Sequence, residues 1–203
     1  MPFVSLEGID GSGKTEQAAR LAARLRAAGQ IVLATKEPDG GHLGAEIRSI
    51  LARDGRVLSP VEQLLLVSAA RYDHVRTVIA PALARGEWVV SDRFRDSTYA
   101  FQVAISDVDL EPLFAEVNEV VIGSSMPDLT IILDLQVEAA SARRTLRGPE
   151  SDDPSEAIRD FQSIRAGLLK LAAREPERCR IVDGDRRPDQ VEEAIWREVV
   201  GLV

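Results

Sequence analysis

The sequence predicts an α/β fold in which a five-stranded parallel sheet is flanked by helices. Two observations support this prediction. Short apolar runs alternate with amphipathic stretches along the chain, and a glycine-rich stretch, residues 8–15, directly follows the first apolar run. Strands that alternate with helices form βαβ units, whose strands run parallel. We predict strands over residues 3–7, 30–36, 87–91, 129–134 and 179–182.

The segments between these strands carry helical signals. Leu21 and Leu25 lie one turn apart in a stretch that Gly29 ends. Ser59, Pro60 and Glu62 form the pattern of an N-cap with a capping box. We predict helices over 12–28, 43–53, 59–85 (with a bend near Pro81), 93–104, 110–122, 137–147, 155–174 and 188–200, and a loop over 148–154, where Gly, Pro and Asp dominate.

Length and composition predict one domain over residues 1–203. The net charge of −8 argues against a nucleic-acid partner, and the single Cys179 excludes an intrachain disulfide. No apolar run approaches the roughly 18 residues that a membrane helix needs, and no signal-like leader precedes the first strand. We therefore expect a cytoplasmic protein with no membrane partner.

Residues 8–15 read Gly-Ile-Asp-Gly-Ser-Gly-Lys-Thr, which fits the phosphate-loop pattern. In such a loop the backbone N–H groups converge on phosphate oxygens, the lysine reaches the outer phosphates and the hydroxyl residue can bind Mg²⁺. An ordinary Gly-rich turn is the alternative, which the flanking strand and helix patterns disfavour. We predict that nucleotide phosphates bind here, at Gly8, Asp10, Gly11, Ser12, Gly13, Lys14 and Thr15.

Several polar residues fall at the predicted ends of other strands. Glu37, Asp92, Arg93 and Asp134 do so, and in open parallel sheets ligands bind beyond the carboxyl ends of the strands. Asp92 is a candidate for holding Mg²⁺, and Arg93 for clamping a second phosphate. A surface ion pair is the alternative for both. Glu37 is a candidate for the metal or the acceptor, or a residue of a plain loop.

Three arginines precede the loop at 148–154, namely Arg143, Arg144 and Arg147. They fit a mobile flap that brings positive charge to a transferring phosphoryl group, or equally a solvated basic helix face. Asp10 is a candidate for the metal or a sugar hydroxyl, or a turn residue. Arg71 is either a donor that reads a base or a solvated charge.

These motifs together resemble the thymidylate kinase family. Residues 3–15 resemble the opening of that family, with its Glu-Gly-x-Asp-Gly signature, and 36–38 resemble its basic-Glu-Pro loop. The stretch 91–94 resembles its Asp-Arg motif, and 127–134 its fourth strand. The similarity runs through nearly the whole chain.

The resemblance implies a phosphate-loop nucleotide kinase that uses ATP and Mg²⁺ to phosphorylate dTMP to dTDP, with a mobile lid over about 143–155 and a homodimer. By the resemblance, the catalytic residues are Lys14, Arg93, Arg143 and Arg147, and the metal site comprises Thr15, Asp10 and Asp92. The substrate site comprises Glu37, Arg48, Val67, Arg71, Arg93, Ser97, Thr98, Phe101 and Gln102.

The chain departs from the family pattern at a few positions. Val67 stands where the family stacks a Phe on thymine, and Phe101 where a Tyr is usual. In the lid, Asp153 stands where an Arg is expected and Ser155 where a Glu is common. Two further hypotheses therefore remain open: a kinase for another nucleotide or nucleoside, such as a modified pyrimidine, and a nucleotide-binding protein with little turnover.

Overall fold

The computed structural model describes residues 1–53, 57–147 and 159–203. Its sheet has five strands in the order β2-β3-β1-β4-β5, and all neighbouring pairs are parallel. The strands are β1 Phe3–Glu7, β2 Val32–Lys36, β3 Trp88–Asp92, β4 Leu129–Asp134 and β5 Cys179–Asp183. The predicted α/β class and the five-stranded parallel sheet are confirmed.

Helices connect the strands and cover both faces of the sheet. They are α1 Lys14–Ala27, α2 Gly44–Leu51, α3 Pro60–His74, α4 Ala80–Ala84, α5 Arg95–Thr98, α6 Glu111–Ile122, α7 Val137–Arg147, α8 Phe161–Arg174 and α9 Pro188–Val199. π-helical turns follow α3 at Val75–Ile79 and α5 at Tyr99–Val103, and a 3₁₀ turn over Val200–Leu202 ends the chain. No helix within the described ranges is long and apolar enough to span a membrane.

Alternate residues of β1 face opposite sides of the sheet, as the pleat requires. Val4 and Leu6 belong to the core that α1 and α9 cover. Phe3 belongs to the core on the other side, with Ile79. Glu7 shares the parity of Phe3, so its carboxyl group lies on that second side. Because β1, β3 and β2 run parallel, their carboxyl ends bring the polar residues there to the same edge of the sheet.

The long helix predicted over 59–85 begins as expected, with a capping box between Ser59 and Glu62. Its irregularity lies at the π-helical turn Val75–Ile79, just before the predicted bend at Pro81. Proline has no N–H to donate to the preceding turn, and wide turns are one way in which a helix absorbs that loss. The helix predicted over 93–104 is likewise divided into α5 and a π-helical turn.

The helix predicted over 155–174 is shorter where the structure describes it, since residues 159 and 160 are not helical, and its predicted start at Ser155 lies outside the described residues. Helix α8 begins at Phe161, because the Asp160 carboxylate accepts hydrogen bonds from the backbone N–H groups of Gln162 and Ser163. Ser155, Asp153 and the rest of the predicted lid beyond Arg147 lie outside the described residues.

Candidate active site

The loop between β1 and α1 turns through glycines in left-handed backbone conformations. Gly11 and Gly13 have φ values of 92° and 93°. A Cβ atom on Gly8 would lie 2.6 Å from Ser12 Oγ and 2.8 Å from the Leu133 carbonyl oxygen. Larger residues are therefore excluded sterically, and the loop can wrap closely around an anion.

Lys14 opens α1, and its side chain is buried. Its Nζ donates to the Ile9 carbonyl at 2.9 Å. Burial, together with the nearby positive charge of Arg93, lowers the pKa of Lys14 to about 8. Ser12 Oγ is also buried and has no partner among the residues that the structure describes. The Lys14 ammonium group has donors to spare and the Ser12 hydroxyl group has no partner in the described chain, so both can bind phosphate oxygens at a loop of this shape.

Thr15 and Asp92 meet where α1 begins and β3 ends. Thr15 Oγ1 donates to Asp92 Oδ2 at 2.5 Å. The other Asp92 oxygen, Oδ1, is buried and accepts no hydrogen bond from the described part of the chain. Hydroxyl and carboxylate oxygens are the ligands that Mg²⁺ prefers, so the pair fits such an ion. No cluster of three or more His, Cys, Asp or Glu ligands occurs within the described ranges, so an ion here would need phosphate oxygens or waters to complete its shell.

Asp10 lies among cations. Its Oδ1 accepts a short hydrogen bond from Arg93 Nη2, and its Oδ2 lies 3.2 Å from Arg159 Nη1. Burial opposes ionisation, but the charges of Arg93, Lys14 and Arg159 outweigh it and hold the pKa of the Asp10 carboxyl far below its usual range. Asp10 is therefore a carboxylate that ties the phosphate loop to Arg93 and Arg159, and its roles toward a metal or sugar hydroxyl stay predictions.

Two arginines reach the phosphate loop, Arg144 at the start of the predicted lid and Arg159 just after the lid. Arg144 Nη1 donates to the Asp10 carbonyl at 2.6 Å, and Arg159 contacts the Asp10 side chain. Arg143 points elsewhere in this structure, donating to the Gly184 carbonyl at 2.9 Å, and the side chain of Arg147 lies outside the described residues. The catalytic roles of Arg143 and Arg147 stay predictions.

Sequence reasoning missed Arg159. Its position as the first basic residue after Arg147 is the sequence signal that could have marked it as a site residue.

Arg93 lies between the loop and the rest of the cleft. Its Nη1 donates to Ser97 Oγ at 2.9 Å and to the Gly8 carbonyl at 3.3 Å. The guanidinium also stacks over the Phe101 ring, with 4.9 Å from Cζ to the ring centroid. Its backbone φ is +71°, a left-handed conformation that is uncommon for a residue other than glycine.

Arg71 is buried on α3, with one edge of its guanidinium fixed by hydrogen bonds. Nε donates to Glu37 at 2.8 Å, and Nη2 donates to the Phe94 carbonyl at 3.0 Å and to Thr98 Oγ1 at 2.9 Å. Nη1 is buried and finds no acceptor in the described chain. A fixed guanidinium with one donor left over fits the recognition of a carbonyl oxygen on a ligand.

Glu37 holds Arg71 in place. One carboxylate oxygen accepts from Arg71, and the other lies 3.2 Å from His74 Nδ1. His74 Nε2 lies 2.8 Å from Thr35 Oγ1. The sequence suggested that Glu37 binds the metal or the acceptor. Both of its carboxylate oxygens are already engaged with residues of α3, so Glu37 can affect a ligand through Arg71, which it holds in place.

One cleft of about 1080 Å³ joins the loop to the acceptor side. Arg48 lies on its rim in an ion pair with Asp39 at 2.6 Å. Gln102, which the sequence predicted to contact the substrate, donates a hydrogen bond to Gln63 at 3.2 Å. Gln63 was not predicted. The predicted residues that line the cleft are Asp10, Lys14, Thr15, Glu37, Arg48, Val67, Arg71, Asp92, Arg93, Ser97, Thr98, Phe101 and Gln102.

Comparison with known proteins agrees with this geometry. The family model described as thymidylate kinase matches residues 6–195. The chain belongs to the thymidylate kinase family. A thymidylate kinase from Rhodopseudomonas palustris (strain TIE-1) is 47% identical over 203 residues, which cover 97% of this chain and 87% of the relative. One from Caulobacter vibrioides is 46% identical, covering 98% and 95%.

The fold is similar to that of a solved member of the family. The crystal structure of thymidylate kinase from Ehrlichia chaffeensis superposes with a TM-score of 0.77 at 28% identity, covering 98% of both chains. Membership of the family makes the chain a phosphotransferase, in a family that uses ATP as the phosphate donor. This also disfavours the hypothesis of a binding protein with little turnover.

Proposed function

We propose that this chain transfers the γ-phosphoryl group of ATP to the phosphate of dTMP, giving ADP and dTDP. The observation that carries the proposal is that Lys14 of the phosphate loop, Arg93 and Arg71 all line the same cleft. The relatives named thymidylate kinase, at 41–47% identity over almost the whole chain, support the choice of acceptor.

On the donor side, the loop amides and Lys14 would hold the ATP phosphates. Thr15 and Asp92 would hold Mg²⁺, which neutralises charge on the donor phosphates when it is bound. The buried Asp92 Oδ1 without a partner in the described chain supports this assignment. The loop and α1 also supply the partial positive charge of a helix N-terminus.

On the acceptor side, Arg93 would contact the dTMP phosphate and Arg71 Nη1 a carbonyl oxygen of the base. An oxygen of the acceptor phosphate attacks the γ-phosphorus in line, the bond to the bridging oxygen breaks, and ADP leaves with the electron pair. No strong base is required, because an acceptor phosphate is already anionic. Positioning by Arg71 and charge neutralisation by Lys14 and Arg93 account for most of the catalysis.

Four further features stay proposals. The lid over about 143–155 with its catalytic arginine and the homodimer rest on the family resemblance, and the single domain over residues 1–203 and the cytoplasmic location rest on the length and composition of the chain.

The acceptor is tested with purified protein and ATP-Mg²⁺ against dTMP, dUMP, dCMP, UMP, dGMP and the matching nucleosides. We expect the highest kcat/KM for dTMP. Val67 and Phe101 line the cleft and favour the one alternative kept here, a kinase for another pyrimidine nucleotide or nucleoside. A clear preference for any acceptor other than dTMP would reject the proposal, and a preference for another pyrimidine acceptor would establish that alternative.

A further inference from the structure

Glu7 is the last residue of β1, and its side chain is fully buried. Oε1 accepts a hydrogen bond from the Phe94 backbone N–H at 2.7 Å, and Oε2 accepts one from Ser97 Oγ at 2.5 Å. Both donors belong to the short segment that follows β3. One carboxylate therefore holds that segment at two points three residues apart.

The segment that Glu7 holds begins with the strained residue Arg93, whose φ is +71°. Such a conformation persists in a residue other than glycine only where its surroundings fix it. Ser91 Oγ donates to the Arg93 carbonyl at 2.7 Å, which fixes one side of the residue. The bond from the Phe94 N–H to Glu7 fixes the same peptide group through its N–H.

A continuous chain of hydrogen bonds leads from Glu7 to the Arg93 guanidinium. The Ser97 hydroxyl donates to Glu7 and accepts from Arg93 Nη1 at 2.9 Å. Nη2 of the same guanidinium pairs with Asp10. Two carboxylates thus orient Arg93, one directly and one through Ser97.

We infer that Glu7 is a positioning residue for phosphoryl transfer, which sets the backbone and the guanidinium of Arg93 through Phe94 N–H and Ser97 Oγ. The inference rests on the proposed function, in which Arg93 contacts the acceptor phosphate. Glu7 itself touches no substrate in this account.

Stability alone does not explain a carboxyl group at this position. Burial and the neighbouring charge of Asp96 raise the pKa of Glu7 from 4.5 to about 7, although Arg93 and the two hydrogen bonds favour the ionised form. The negative charge of Glu7 also acts on Lys14, where it favours the protonated form and so raises the Lys14 pKa. Between pH 4.5 and 7 the folded state binds the proton more tightly than the unfolded state, so ionisation of Glu7 lowers stability as pH rises through that window. The ionised carboxyl group, which accepts from both the Phe94 N–H and Ser97 Oγ, is therefore kept at a cost in stability, which points to a functional reason for it.

The test compares Glu7→Gln with the wild type, because this change keeps the size of the side chain and removes its charge. Glu111→Gln, an exposed residue of α6 that pairs with Arg174, is the matched control. Turnover of ATP and dTMP and thermal unfolding at pH 8 are measured for each protein. For Glu7→Gln we expect kcat to fall at least about tenfold, as for supporting residues at other sites. The KM for ATP should stay within about twofold. Because glutamine offers one oxygen to the two donors, Tm at pH 8 should fall, but unfolding should begin well above the assay temperature.

Ser97→Ala, alone and combined with Glu7→Gln, tests the route of the effect. If Glu7 acts through Ser97, the double variant loses less kcat than the product of the two single losses. A kcat loss below about tenfold in Glu7→Gln, a KM for ATP that rises as much as kcat falls, or multiplicative losses in the double variant would overturn the inference. A wild type that forms no dTDP would instead overturn the proposed function, so the two failures are distinguishable.

Discussion

Thr15 and Asp92 are joined by a hydrogen bond of 2.5 Å across the phosphate loop, although they lie 77 residues apart in the chain. The bond links the first turn of α1 to the end of β3, a strand that pairs directly with β1. Because Asp92 Oδ1 is left buried without a partner in the described chain, one oxygen of this pair stays available to a ligand.

The first prediction concerns this pair. Asp92→Asn replaces a charged oxygen ligand with an amide, and we expect the Mg²⁺ concentration that gives half-maximal activity to rise by about tenfold or more. Asp183→Asn, at the end of β5 and paired with exposed Arg186, is the matched control and should leave the Mg²⁺ requirement unchanged. An Asp92→Asn variant with the Mg²⁺ dependence of the wild type would remove Asp92 from the metal site.

The second prediction concerns Lys14. Lys14→Ala removes the buried cation beside the loop amides, so kcat for phosphoryl transfer should fall by about 10²-fold or more. Steady-state assays of ADP formation measure this loss. Lys170→Ala, which removes an exposed lysine 3.9 Å from Glu111, should retain full activity. Intact turnover in Lys14→Ala would rule out the proposed role of the loop.

The third prediction concerns recognition of the acceptor by Arg71. Arg71→Lys keeps the charge but loses the forked guanidinium that contacts Glu37, Phe94 and Thr98. We expect the KM for dTMP to rise about tenfold while the KM for ATP stays nearly constant. Arg76→Lys, on the exposed face of the same helical segment, serves as the control. Equal rises in both KM values would mean that Arg71 supports the whole cleft and not the acceptor alone.

The fourth prediction separates the arginines around the lid. Arg159 contacts Asp10 at 3.2 Å, whereas Arg143 bonds to the Gly184 carbonyl. From this geometry we expect Arg159→Ala to lower kcat more than Arg143→Ala does. The reverse order, measured under saturating ATP and dTMP, would favour the role that the sequence suggested for Arg143.

The fifth prediction concerns stability. Asp96 is buried and accepts from both Nη1 and Nη2 of Arg178, at 2.7 and 2.9 Å. Asp96→Asn leaves the Arg178 guanidinium without its main counter-charge, so the free energy of unfolding should fall by about 3–5 kcal/mol. Urea unfolding monitored by circular dichroism measures this. A loss below about 1 kcal/mol would show that Glu175, which also pairs with Arg178, compensates.

Sequence predicted the parts of the fold that local signals govern. β4 at Leu129–Asp134 and α7 at Val137–Arg147 have the predicted bounds, because an apolar run and a helical pattern define each. The loop residues of the site could be named for the same reason. The π-helical turns were not predictable, since they insert a wider turn into a pattern whose hydrophobic period still reads as α-helical.

Contacts between distant segments account for what the sequence left out. Glu37 and Arg71 are 34 residues apart, and their ion pair depends on how α3 packs beside β2. The link from Glu7 to Ser97 spans 90 residues and exists only because β1 and β3 are neighbours in the sheet. Residue type and spacing mark such side chains as candidates, but the topology decides which partner each one meets.

The most direct test of the central claim follows the phosphoryl group itself. The wild-type protein is incubated with dTMP and with ATP labelled in its γ-phosphoryl group, and the products are separated. The account predicts that the label appears in the β-phosphoryl group of dTDP, in a one-to-one ratio with ADP. Label released as inorganic phosphate, or no transfer to dTMP at all, would contradict it.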